Sequence, residues 1–114
     1  MAGDWLPAGE SADIEPRRGV RRCVEGREVA LFRTGEGELL VVDNACPHRG
    51  GALFEGLVTG RTVVCPLHGW GIDLGSGRAV PPEEGGVATH AVREHEGQVE
   101  VRLAKSVKNP TEER

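Results

Sequence analysis

Two short segments constrain this chain more than anything else in it: Cys46-Pro47-His48 and Cys65-Pro66-Leu67-His68. Each supplies one thiol and one imidazole, and sixteen residues separate His48 from Cys65. A zinc finger groups its two Cys together and its two His together; here the two types are mixed within each segment. The mixture suits a centre with two unlike metal ions, where one ion takes both sulfurs and the other both nitrogens. A tetrahedral Cys2His2 zinc site uses the same donors and stays open at this point, as does the bland reading of scattered structural Cys and surface His. Cys46, His48, Cys65 and His68 are therefore the candidate metal ligands.

The 114 residues fit one small domain with a single core. No stretch approaches the ~20 apolar residues of a membrane span. Met1 to Glu10 shows neither a basic n-region nor an apolar h-region, so a cytoplasmic location is expected. The net charge of −4 and the lack of a basic stripe argue against nucleic acid as a partner. The third cysteine, Cys23, lies beside Val24 and is expected to be a small buried hydrophobe. With no disulfide framework in view, a reducing compartment fits. Seventeen glycines and short Val-rich runs describe an all-β domain rich in turns.

In chain order, Trp5 is expected to anchor an N-terminal arm or strand on the sheet. Strands are expected over Val20–Val24, Arg27–Arg33 and Leu39–Val42, forming a meander closed by Glu25-Gly26 and by Thr34-Gly35-Glu36-Gly37-Glu38. The run Val29-Ala30-Leu31-Phe32 is apolar on both faces and reads as a buried strand. Asp43-Asn44-Ala45 delivers the chain into the first loop. There Pro47 fixes φ between two ligands, and Gly50 and Gly51 let the backbone pass close to a metal centre. Residues 55–61 read as a connector, Thr62–Val64 as the strand entering the second loop, and residues 70–74 as the strand leaving it. Pro81 to Gly86 is an irregular loop. A last hairpin spans Ala88–Arg93 and Val99–Leu103 around Glu94 to Gln98, and residues 105–114 are a polar, frayed tail. His95, between two glutamates, reads as solvated, and His90 as packed or surface-exposed; neither is read as a ligand. No catalytic triad, phosphate loop or paired-carboxylate motif is present.

With these residues the chain resembles the Rieske ferredoxin-like family over nearly its whole length. The resemblance rests on Cys46-Pro47-His48, Gly50-Gly51, Cys65-Pro66-Leu67-His68-Gly69 and the Gly75-Ser76-Gly77 turn. It implies an antiparallel β-sandwich or barrel in a single domain over residues 1–104. A small two-loop cluster-binding subdomain would span about residues 44–74 and hold a [2Fe–2S] cluster. Cys46 and Cys65 would bind the inner iron, and His48 and His68 the outer one. Val29-Ala30-Leu31-Phe32-Arg33 and His68-Gly69-Trp70-Gly71-Ile72-Asp73-Leu74 look most like the small subunit of assimilatory NAD(P)H nitrite reductase. That likeness implies a non-catalytic electron-transfer subunit beside a large subunit with FAD, sirohaem and an iron–sulfur cluster. The alternatives are a free ferredoxin serving a ring-hydroxylating dioxygenase and a zinc-binding structural module.

High-potential Rieske proteins carry an extra Cys in each loop, where this chain has Gly51 and Leu67. They also carry hydroxyl donors to sulfur, where it has Trp70 and Ile72. Hydrogen bonds to sulfur favour the reduced state, so the expected potential lies at the low end of the Rieske range, about −150 mV. Trp70 is read as a core ring covering the cluster's side, with partner contact as the second reading.

Overall fold

The computed structural model describes residues 5–45, 52–66, 69–81 and 85–104. The residues of the cluster-loop expectation at Cys46, Pro47, His48, Gly50, Gly51, Leu67 and His68 lie outside these, as do Pro82 to Glu84 and the 105–114 tail.

The expected meander is present as β2 (Arg18–Val24), β3 (Arg27–Arg33) and β4 (Leu39–Asp43). Glu25 (φ 52°) and Gly26 (φ 82°) make the β2–β3 turn. Two left-handed residues in succession twist the chain the same way as the strands they join, which favours this turn in hairpins. Thr34 roots the β3–β4 loop. Its N–H donates to the Glu38 carbonyl at 2.8 Å, and its hydroxyl accepts the N–H groups of Glu36 and Glu38 at 3.3 and 3.1 Å.

The last hairpin, β8 (Thr89–His95) and β9 (Gln98–Arg102), is tighter than the sequence suggests. β8 continues to His95, leaving only Glu96 (φ 54°) and Gly97 (φ 81°) as the turn. β1 (Leu6–Glu10) pairs with β9, and the six-stranded sheet runs β1-β9-β8-β4-β3-β2. Its two edges meet: Arg22 on β2 donates from Nε to the Ala8 carbonyl on β1 at 3.1 Å. Ala8 and Val24 share one core, so the sheet curls into a nearly closed barrel. Trp5 anchors the arm as expected, its ring lying 4.4 Å from the Arg93 guanidinium and 4.5 Å from that of Arg102. Such contacts add on the order of 0.5–1 kcal/mol each where exposed.

A second, three-stranded sheet contains β5 (Leu57–Thr59), β6 (Thr62–Val64) and β7 (Gly71–Asp73), in that order. β5 lies inside the stretch expected to be a connector. It is a strand because Val58, opposite Val63, buries against the same core. β3 runs between two cores, which explains its apolar character on both faces. Val29 and Leu31 face the barrel with Val41, Val99 and Val101, while Ala30 and Phe32 face the second sheet with Val63, Cys65 and Ile72.

Cys23 corrects the sequence reading: it is exposed rather than buried. Alternation along β2 gives the inward position to Val24, and Cys23 faces outward opposite Glu28.

Gly56 joins a short 3-10 turn, Leu53–Glu55, to β5. Its φ of −79° suits any residue; what it supplies is space, because a Cβ there would collide with the Val64 carbonyl oxygen. Gly56→Ala is expected to force β5 from β6 and cost about 1–3 kcal/mol, in the range of overpacked cores. Thermal unfolding checks this, and an unchanged melting temperature would mean the two backbones separate freely.

Candidate metal centre

The two predicted ligand segments leave from different places in the fold. The first follows β4, in the barrel sheet, and its chain re-enters at Ala52 to feed the 3-10 turn and β5. The second connects β6 to β7 within the small sheet. Gly56 backbone lies directly against Val64, and Leu57 pairs with Val64. The exit of the first segment is thereby set beside the residue that precedes Cys65.

Of the four predicted ligands, only Cys65 lies among the described residues. It is a free cysteine, 1% exposed, in the core shared by Leu53, Val58, Val63, Ile72 and Leu74, with Phe54 and Trp70 packed on its margin. The chain turns back sharply after it. Cys65 N–H donates to the Trp70 carbonyl at 2.7 Å, and Gly69 N–H (φ +76° at Gly69) donates to the Cys65 carbonyl at 3.0 Å. Val80 N–H then donates to Gly71 O at 2.8 Å, bracing the start of β7. A thiol with no disulfide partner, buried at the root of a tight loop, fits a metal thiolate. A second Cys and two His are the donor set of a two-iron centre.

The first segment is rooted by a polar cluster that sequence reasoning passed over. Asp43, the last residue of β4, accepts two bonds from Arg27, at 3.0 Å from Nε and 3.2 Å from the terminal nitrogen. It also accepts from His90 Nε2 at 2.9 Å. His90 Nδ1 accepts the Ala104 N–H at 2.9 Å, so the proton sits on Nε2 and both ring nitrogens are satisfied in the neutral tautomer. Burial pushes the Asp43 carboxyl up. The His90 hydrogen bond, and then the hydrogen bond and charge of Arg27, outweigh this and hold it below its usual value. His90 is thus a packed residue and no ligand, as the sequence suggested, and His95 is exposed.

Asn44 comes next. Its backbone N–H donates to Glu28 O at 3.2 Å and its side-chain NH2 to Glu28 Oε2 at 3.0 Å. Its Oδ1 accepts the Phe54 N–H at 2.8 Å. The sequence signal for both residues is their position three and two residues before Cys46, at the end of a strand. Among the described residues, no helix is long and apolar enough to cross a membrane.

Residues 4–99 match the family described as Rieske [2Fe-2S] domain. The chain is 33% identical to the ferredoxin component of the naphthalene 1,2-dioxygenase system of Pseudomonas putida, over 82% of this chain and 89% of that one. It is 31% identical to Oxidoreductase NdmD of Pseudomonas putida over 93% of this chain, but spans only 20% of that protein. Among solved structures, a protein assigned as an NADH-dependent nitrite reductase small subunit from Mycobacterium tuberculosis superposes with TM-score 0.80. That pair is 28% identical and covers 89% of this chain and 96% of that one.

Proposed function

Because the chain belongs to the Rieske [2Fe-2S] domain family, we propose that it is a one-electron carrier in which Cys46 and Cys65 hold one iron and His48 and His68 the other. The observation that carries this reading is the buried, unpaired Cys65 at the head of a loop lying beside the exit of the first segment. A bound [2Fe–2S] cluster stores and releases one electron. Cys46, His48, Cys65 and His68 would all be committed to holding the cluster, which would supply electron transfer rather than bond-making chemistry. The chain's own part is to shield the sulfur side and set the potential. Leu53, Ile72 and Leu74 keep water from Cys65, and Ile72, fully buried, has no hydroxyl to offer a sulfur, which supports a low potential.

For the partner we infer the large subunit of an assimilatory NAD(P)H nitrite reductase, where nitrite is reduced to ammonia. The motifs around β3 and the second loop support this, as does the likeness to the nitrite reductase small subunit structure. A second reading has its own support: the 33% identity to a dioxygenase ferredoxin component, which spans most of both chains. In that reading the protein moves freely between a reductase and an oxygenase.

The deciding experiment reduces the purified protein and offers it to each acceptor. A Rieske-type paramagnetic resonance signal followed by nitrite-dependent reoxidation only with the flavin- and sirohaem-containing subunit is the expected result. Reoxidation only by an aromatic-ring oxygenase assigns the second partner. A colourless, zinc-containing protein overturns the carrier reading.

A further inference from the structure

We propose that Asn44 is the positioning residue that closes the first ligand loop, doing with a side chain what backbone pairing does for the second. The inference rests on Cys46 and His48 being cluster ligands.

The two loops differ in how their ends are held. The second loop is a hairpin connection inside one sheet, so its ends are ladder neighbours. Val64 pairs with Gly71, Cys65 N–H donates to Trp70 O at 2.7 Å, and Gly69 N–H to Cys65 O at 3.0 Å. The first loop instead joins elements of different sheets: it leaves β4 of the barrel and returns to a 3-10 turn that leads into the other sheet. Among the described residues, the hydrogen bond from Phe54 N–H to Asn44 Oδ1, 2.8 Å, links the two ends across ten positions.

The donors of Asn44 are committed as well. Its N–H and NH2 both donate to Glu28, on β3, at 3.2 and 3.0 Å. One end of the loop is thus fixed to the barrel, and the other to that end. Phe54 is itself held, since its ring lies 5.6 Å from the Arg21 guanidinium and its neighbour Leu53 is fully buried. An amide suits this position. The site needs an acceptor facing Phe54 and a donor facing the Glu28 carboxylate, and Asn supplies the two from separate atoms of one short side chain.

Ligands on a loop whose ends drift lose geometry, and groups that orient metal ligands typically matter by 10–100-fold in affinity. Wild-type and variant chains, loaded with iron and sulfide under anaerobic conditions, are challenged with an iron chelator while visible absorption is followed. Asn44→Ala is expected to lose its cluster about tenfold faster than wild type, with a broadened paramagnetic resonance signal and faster hydrogen exchange at the Phe54 amide. Asn44→Asp combined with Glu28→Gln keeps the acceptor for Phe54 and restores a donor–acceptor pair between positions 44 and 28, so it is expected to stay within about threefold of wild type.

Wild-type loss rates and line shape in Asn44→Ala overturn the proposal, as do equal losses in both variants. Should Asn44→Ala fail to fold by circular dichroism, Asn44→Ser, whose hydroxyl falls short of Phe54, takes its place with the same outcomes. If the wild-type chain takes up no iron and sulfide, the carrier reading fails first, and that result is distinct from any difference among the Asn44 variants.

Discussion

Cys65→Ser is expected to leave the loaded protein without acid-labile sulfide or visible absorption, while Cys23→Ser keeps both at the wild-type level. The contrast follows from where the two thiols lie. Cys65 is 1% exposed, faces the core between the sheets and heads a loop closed by two backbone hydrogen bonds. Cys23 is exposed on the outer face of the edge strand β2, opposite Glu28. A serine hydroxyl has nearly the volume of a thiol but is far harder to ionise and a poor match for a sulfide-bridged iron pair, which is held by thiolates. The change therefore tests ligation more than packing. Iron and sulfide analysis, with circular dichroism to verify the fold, reads the outcome. Full cluster content in Cys65→Ser would remove Cys65 from the ligand set.

The second large effect is on stability. Asp43 collects two bonds from Arg27 and one from His90, with side chains only 18–23% exposed for Arg27 and Asp43 and 0% for His90. Asp43→Asn removes the charge that offsets a largely buried guanidinium. Breaking a fully buried pair costs about 3–5 kcal/mol; partial exposure here brings the expectation to about 2 kcal/mol. For a chain of this size that is a fall in melting temperature of about 8 °C.

The pH dependence has a definite sign. The folded-state pKa of Asp43 is lowered, so its contribution is complete above the unfolded-state value, about 3.9. It is lost as pH falls from there through the lower folded-state value. The gap between wild type and Asp43→Asn should therefore hold constant from neutral pH to about pH 5 and narrow below about pH 4. A gap under about 2 °C at neutral pH would show that the pair adds little over its desolvation cost.

Much of this protein is legible without coordinates. Strand positions follow from local patterns, because alternation and turn residues act within a few positions of each other. The β2–β3–β4 meander and the β8–β9 hairpin appear where those patterns place them. β5 escaped because Leu57-Val58-Thr59 is too short to show a period, and its strand character comes from pairing with β6. Cys23 was misplaced for a related reason. Its neighbour Val24 is apolar, and which of two adjacent residues faces inward depends on register, which only the packed sheet sets.

The proposed ligand segments are legible in the sequence alone. Their chemistry lies in residue type and spacing, and Cys46-Pro47-His48 and Cys65-Pro66-Leu67-His68 point to a two-iron centre before any fold is drawn. The means of holding those segments was decided by tertiary structure. Asp43 meets His90 across 47 positions, Asn44 meets Phe54 across ten, and Gly56 makes room for Val64. Such contacts join residues distant along the chain, so no local pattern carries them. Asp43 meets His90 because β4 pairs with β8 in the barrel, and Gly56 meets Val64 where β5 pairs with β6. Asn44 to Phe54 joins the end of the barrel's β4 to the segment that leads into the small sheet.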